Sequence, residues 1–128
     1  MKVLVTGGFG LVGRSVVNEL LMSGHTVRLF DVARVALRRA RPGRRIEMVH
    51  GDLCNIADVG EAVRGVDAVA HVGAMIPPAA DRNPRRAFYV NVGGTTNIVQ
   101  ALEQYQPSAR LVFTSSIAVY GAGQSPMD

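Results

Sequence analysis

Apolar residues along the chain switch between two periods. Lys2 to Thr6 (KVLVT) is a short, β-branched apolar run halted by glycines, the pattern of a strand buried on both faces. After Gly10 the apolar positions Leu11, Val12, Val16, Val17, Leu20 and Leu21 recur with helical spacing, and Ser23-Gly24 supplies the stop. His25 to Asp31 (HTVRLFD) reads as a second strand, followed by a short arginine-rich helix that Pro42-Gly43 closes. Ile46 to His50 (IEMVH) is a third strand. Residues 55–64 read as a helix, with Asn55 as N-cap and Ile56, Val59 and Val63 on one face. Val66 to Val72 (VDAVAHV) is a fourth strand. A loop holding Pro77-Pro78 and Asn83-Pro84 then leads to a long helix from Arg85 to Gln104, and Leu111 to Thr114 (LVFT) is a fifth strand.

Strands that alternate with helices form parallel pairs, because each right-handed crossover needs its helix. The expected fold class is therefore α/β, a doubly wound parallel sheet of about five strands. No repeat, low-complexity tract or linker divides the chain, so residues 1–128 are expected to be one domain, a size that supports a real core. Composition agrees: 48% of residues are hydrophobic and 19% charged, which is globular rather than disordered. No apolar run nears the roughly 20 residues of a membrane span, and no secretory signal pattern precedes the first strand. The lone cysteine, Cys54, has no internal partner for a disulfide, so a cytoplasmic location is expected, with Cys54 itself as a small buried apolar residue.

The net charge of +4 is carried by arginine, Lys2 being the only lysine. Arg34, Arg38, Arg39, Arg41, Arg44 and Arg45 crowd one segment. Such a run would meet phosphates or simply form a solvated face. No aromatic residue interleaves with it, which argues against a nucleic-acid partner.

The stretch TGGFGLVG, Thr6 to Gly13, carries the first candidate chemistry. Gly7, Gly10 and Gly13 fall three apart after a strand and open a helix, and Asp31 ends the next strand 18 positions after Gly13. The dinucleotide-binding fingerprint has an acidic residue about 20 positions on. Gly7 permits the tight turn, Gly10 lets backbone approach a pyrophosphate, and Gly13 lets helix and strand pack closely. The helix N-terminus offers unpaired N–H groups and partial positive charge to phosphate, and Asp31 would accept hydrogen bonds from ribose hydroxyls. Its carboxylate favours NAD over NADP, whose 2′-phosphate it would repel. A P-loop is excluded, since no Gly-Lys-Ser/Thr is present.

Beyond that fingerprint, TGGFGLVG resembles the TGxxGxxG of extended short-chain dehydrogenases/reductases, the NAD-dependent epimerase/dehydratase family. Four further segments match that family in order: Gly51-Asp52-Leu53; AVAHVGA, Ala68 to Ala74; NVGGT, Asn91 to Thr95; and FTSSIAVYG, Phe113 to Gly121. The resemblance covers essentially the whole chain and implies a Rossmann-type sheet, truncated after about five strands. It also implies site residues. Leu11 and Val12 would sit beside the pyrophosphate, and Asp52 and Leu53 would hold the adenine. Val72, Gly73 and Ala74 would line the nicotinamide ribose, Gly73 standing where the family usually has alanine. Ser116, four residues before Tyr120, matches the catalytic Ser/Thr that hydrogen-bonds the substrate oxygen during hydride transfer. Asn91 would be a supporting polar residue. His71 is expected to be a satisfied core histidine rather than a metal ligand, since no second ligand keeps metal-site spacing, and Tyr120 is expected to pack.

The family's general acid/base is a Tyr-x-x-x-Lys pair, and none occurs here: Tyr89, Tyr105 and Tyr120 all follow the single lysine. The resemblance thus implies a longer parent enzyme, acting by hydride transfer on a carbinol, such as that of a nucleotide-sugar, and a chain inactive by itself. Uncovered apolar surface on this portion implies self-association into a homo-oligomer. The alternative is a non-catalytic NAD(P)-sensing or scaffold protein that keeps the cradle without the pair.

Overall fold

The computed structural model describes residues 1–33 and 45–121. Five strands, β1 (Lys2–Thr6), β2 (Thr26–Asp31), β3 (Ile46–His50), β4 (Ala68–His71) and β5 (Arg110–Phe113), form one parallel sheet in the order β3-β2-β1-β4-β5. The register sets Thr6 beside Phe30 on one side and His71 on the other, and His71 beside Phe113. Helices α1 (Leu11–Met22), α2 (Ile56–Val63), α3 (Ala79–Arg82), α4 (Pro84–Phe88) and α5 (Gly94–Tyr105) make the crossovers. The expected arginine-rich helix falls on residues 34–44, outside the described residues.

Alternation along the strands splits the core in two, because successive side chains point to opposite faces. Val3, Val5, Val27 and Leu29 pack against Val17 of α1 on one face. Leu4, Phe30 and Val69 meet Val59 and Val63 of α2 and Ile98, Ala101 and Leu102 of α5 on the other. A helical layer on each face is the doubly wound arrangement that the alternating pattern predicts. Asn55 caps α2 as its sequence position suggests, accepting 3.0 Å from the Ala57 N–H. At the opposite end of α2, the buried Arg28 donates to the carbonyls of Ala62 (2.8 Å) and Arg64 (2.6 Å). Its other terminal nitrogen meets Glu47, whose carboxyl the hydrogen bonds from Lys2 and Arg28 hold below the usual range.

The predicted long helix is interrupted. Between α4 and α5, Tyr89–Gly93 forms a π-helical turn, and α3 occupies part of the expected proline loop. Asn83 caps α4 by accepting 3.0 Å from the Arg86 N–H, while Pro84 takes the first helical turn, where its missing N–H costs nothing. β5 is an edge strand among the described residues, and Val112 is 64% exposed there. Leu111, Phe113, Ile117, Val119 and Tyr120 are also exposed. Cys54 too is exposed rather than buried, and desolvation together with the Asp52 carboxylate raises its thiol pKa.

Candidate functional site

In this strand order the chain leaves β1 for β2 on one side and returns to β4 on the other. Open α/β sheets have their crevice at that switch point, outside the carboxyl ends of the two strands. The glycine turn after β1 and the segment Val72–Ala74 after β4 meet there. Gly7 has φ +65°, and a Cβ on it would lie 2.6 Å from the Gly73 Cα. A Cβ on Gly13 would run into the Gly7 carbonyl, so glycine is what lets α1 start against the strand end. The Gly10 N–H donates to the Gly7 carbonyl at 2.9 Å and closes the turn.

Residues of this turn suit an anion. Gly10 precedes the first residue of α1, and no side chain caps the helix. Among the described residues no side chain takes the first-turn N–H groups, which carry the partial positive charge of the helix. A Cβ on Gly10 would meet only the Gly7 carbonyl oxygen, at 3.2 Å, and otherwise open space. That clearance admits a phosphate against the backbone. Leu11 and Val12 stand at this mouth, 88% and 56% exposed.

Asp31 sits at the rim, at the end of β2. Its two carboxylate oxygens are fixed separately, Oδ2 accepting from the Phe9 N–H and Oδ1 from the Ala33 N–H, each at 3.0 Å. The glycine turn thus holds the carboxylate, and each oxygen retains a lone pair for a hydroxyl donor. Asp52 and Leu53 behave differently. Asp52 Oδ1 accepts 2.9 Å from the Cys54 N–H in a local turn, while its own N–H donates to Asp58 Oδ2 at 3.0 Å. Leu53 points into the core beside Gly73 and Gly94, and Asn97 donates to its carbonyl at 2.7 Å.

The Gly73 N–H donates to Thr6 Oγ1 at 3.0 Å. A Cβ on Gly73 would lie 3.1 Å from Gly7 N, Leu53 Cδ1 and Thr6 Oγ1 alike. His71 is 1% exposed and fully engaged: Nδ1 is 2.7 Å from Thr6 Oγ1 and Nε2 2.9 Å from Thr95 Oγ1. Burial lowers its pKa, so the ring is neutral near pH 7. Asn91, on the π-helical turn, clamps Met75 by accepting from its N–H (2.7 Å) and donating to its carbonyl (3.0 Å). Ser116 follows β5 and caps a short 3₁₀ turn, Ile117–Tyr120, by accepting 3.1 Å from the Ala118 N–H. Among the described residues nothing accepts its hydroxyl hydrogen.

The structure therefore gathers Gly7, Gly10, Leu11, Val12, Gly13, Asp31, Val72, Gly73 and Ala74 around one crevice edge, with Ser116 in the segment that follows β5. It leaves Leu53 behind that edge as support. Sequence reading missed Thr6 and Thr95, whose hydroxyls complete the His71 network. Their only visible signal is membership in the segments TGGFGLVG and NVGGT. Among the described residues no group of three His, Cys, Asp or Glu side chains is placed to hold a metal ion, and no helix is long and apolar enough to cross a membrane.

An open parallel sheet with a glycine-lined turn and a fixed carboxylate at its switch point defines the dinucleotide-binding class of α/β folds. Residues 3–128 match the model of the NAD dependent epimerase/dehydratase family, and the chain belongs to that family. It is 40% identical, over 97% of its length, to a 3β-hydroxysteroid dehydrogenase/Δ5→4-isomerase of Mycobacterium tuberculosis, and 31% identical, over 94%, to the CDP-paratose 2-epimerase of Salmonella typhi. It spans about a third of the length of these relatives, 34% and 38%. Among solved structures, a short-chain dehydrogenase/reductase superfamily protein from Agrobacterium tumefaciens with bound NAD matches 94% of this chain and 34% of its own. The TM-score is 0.76 and the identity 39%. The Thermus thermophilus UDP-glucose 4-epimerase in complex with NAD matches 91% of the chain and 38% of its own, with TM-score 0.77 and identity 32%.

Proposed function

We propose that this chain is the NAD-binding portion of an oxidoreductase or epimerase that acts by hydride transfer on a secondary carbinol. One observation carries the reading: the uncapped first turn of α1 and the Asp31 carboxylate flank the same crevice, and the glycine turn holds that carboxylate by its Phe9 N–H. In this reading the backbone at Gly10, Leu11 and Val12 binds the pyrophosphate, and Asp31 takes the adenosine ribose hydroxyls. Asp52 and Leu53 frame the adenine end, Leu53 through its packing beneath. Val72, Gly73 and Ala74 floor the nicotinamide ribose. The bound cofactor supplies the hydride acceptor. Ser116 donates its hydroxyl hydrogen to the substrate oxygen and orients the reacting carbon, while the base that takes the carbinol proton is a Tyr-x-x-x-Lys pair outside these 128 residues.

The resemblance favours a nucleotide-sugar as substrate, in keeping with relatives named as CDP-paratose 2-epimerase and UDP-glucose 4-epimerase. A steroid carbinol is the second reading, favoured by the 40–41% identity to relatives named as 3β-hydroxysteroid dehydrogenases. Incubating the full-length protein and NAD with a UDP-sugar or with a 3β-hydroxysteroid separates the two. The steroid is read by NADH formation and the UDP-sugar by either NADH or the epimerised sugar, because an epimerase returns the hydride and leaves no net NADH. The cofactor itself is tested on this chain by titration calorimetry. One NAD per chain is expected, with NADP weaker; the absence of binding by either would overturn the proposal.

A second expectation concerns association. The exposed β5 edge, with Leu111, Val112 and Phe113 beside it, offers unpaired backbone and apolar surface together. Prepared alone, the chain should dimerise or aggregate; a monodisperse monomer on sizing with light scattering would count against this.

A further inference from the structure

The hydrogen bonds around His71 have only one self-consistent direction. Thr95 Oγ1 lies 2.6 Å from the Asn91 carbonyl, an acceptor only, so the single hydroxyl hydrogen of Thr95 is spent there. Thr95 Oγ1 must then accept from His71, which puts the ring proton on Nε2. In the neutral ring Nδ1 is left as an acceptor, so Thr6 Oγ1 donates to it. The lone pairs of Thr6 Oγ1 are thereby turned to the Gly73 N–H. One chain of donors runs from Gly73 through Thr6, His71 and Thr95 to Asn91, and the Asn91 side chain then grips Met75 at both its backbone groups.

We infer that His71 is a positioning residue, in its Nε2–H tautomer, for the backbone that floors the nicotinamide half of the cofactor. Its two nitrogens tie the two ends of one segment, Gly73 through Thr6 and Met75 through Thr95 and Asn91. Gly73 also lies against Gly7, so the segment is held both to the glycine turn and to the π-helical turn. The ring nitrogens of His71 and the hydroxyls of Thr6 and Thr95 are all satisfied in this tautomer. The opposite one would set two hydrogens facing each other at Nδ1 and Thr6 unless the Thr6 hydroxyl reversed, and no other described partner would receive it. A segment with its exit N–H unpaired would be ordered only on binding, and that cost would be subtracted from affinity.

The inference rests on the cofactor reading above, and the two can fail separately. The probes are NAD and ADP, the latter lacking the nicotinamide ribose. Thr95→Val removes the acceptor for Nε2–H without touching the glycine turn. It is expected to weaken NAD about tenfold while leaving ADP affinity within about twofold, and Thr95→Ser should restore NAD binding. Nitrogen-15 NMR of the unmodified chain should show His71 protonated at Nε2 and not at Nδ1. If the unmodified chain binds neither ligand, the cofactor reading fails. If it binds both and Thr95→Val weakens both equally, or neither, or if the ring proton is on Nδ1, the positioning role fails. If Thr95→Val does not fold, Asn91→Ala, which releases Met75 without touching the His71 ring, takes its place under the same NAD-against-ADP criterion. A ring proton on Nδ1 overturns the inference by itself.

Discussion

Asp31→Ala is expected to weaken NAD binding about ten- to a hundredfold, the scale of losing a charge-assisted hydrogen bond pair to a ligand. The size follows from the carboxylate's double duty. Its oxygens accept from the Phe9 and Ala33 N–H groups at 3.0 Å each, so the substitution would remove the proposed ribose contact and also free the glycine turn. The same variant should narrow the preference for NAD over NADP, because the charge that repels a 2′-phosphate is gone. Calorimetry with both cofactors checks the two effects together. An unchanged NAD affinity would remove Asp31 from the site, whatever its place at the end of β2.

Gly7→Ala is expected to cost the fold about 2–5 kcal/mol, from the left-handed backbone and from overpacking. Gly7 has φ +65°, and the added Cβ would press on the Gly73 Cα from 2.6 Å, backbone against backbone with no side chain able to yield. Thermal unfolding should show a clear fall in Tm. Gly10→Ala makes the contrast, because its Cβ would meet only the Gly7 carbonyl oxygen at 3.2 Å. That variant should melt within about 1 kcal/mol of the parent and yet bind NAD more weakly, since the methyl group would occupy the proposed approach of the phosphate. A Gly7→Ala chain as stable as the parent would refute the close approach of β1 and β4.

The sheet was legible because its central strands are buried on both faces, which leaves the VLV of KVLVT apolar. The edge strand IEMVH keeps enough apolar residues to read as a strand although Glu47 and His50 are exposed. The cradle was legible too, since a turn without room for Cβ atoms requires glycine at fixed spacing. Asp52 shows the limit of that kind of reading. Asp before Leu identifies a position, but the side chain's hydrogen bond to the Cys54 N–H belongs to local turn geometry. The π-helical turn at Tyr89–Gly93 left no trace in the apolar spacing from Arg85 to Gln104, because Tyr89, Val90 and Val92 crowd apolar side chains into it and fit either spacing. The His71 network was hidden for another reason. Thr6 and Thr95 lie 65 and 24 positions from His71, and only the parallel register of β1 with β4, with α5 folded over it, brings hydroxyls to both ring nitrogens.

Gly73 turns that crowding into a coupling between the two ends of the crevice. The alanine usual in the family would here place a methyl group 3.1 Å from Gly7 N, Thr6 Oγ1 and Leu53 Cδ1. The first two are pinned by the strand and the hydrogen-bond network, so Leu53 alone has latitude to move. Leu53 in turn rests against the place where a Cβ on Gly94 would sit, 2.8 Å from its own Cβ. A single methyl group at position 73 would therefore be passed through one leucine to the α5 helix, so the side chains at positions 53, 73 and 94 share one space.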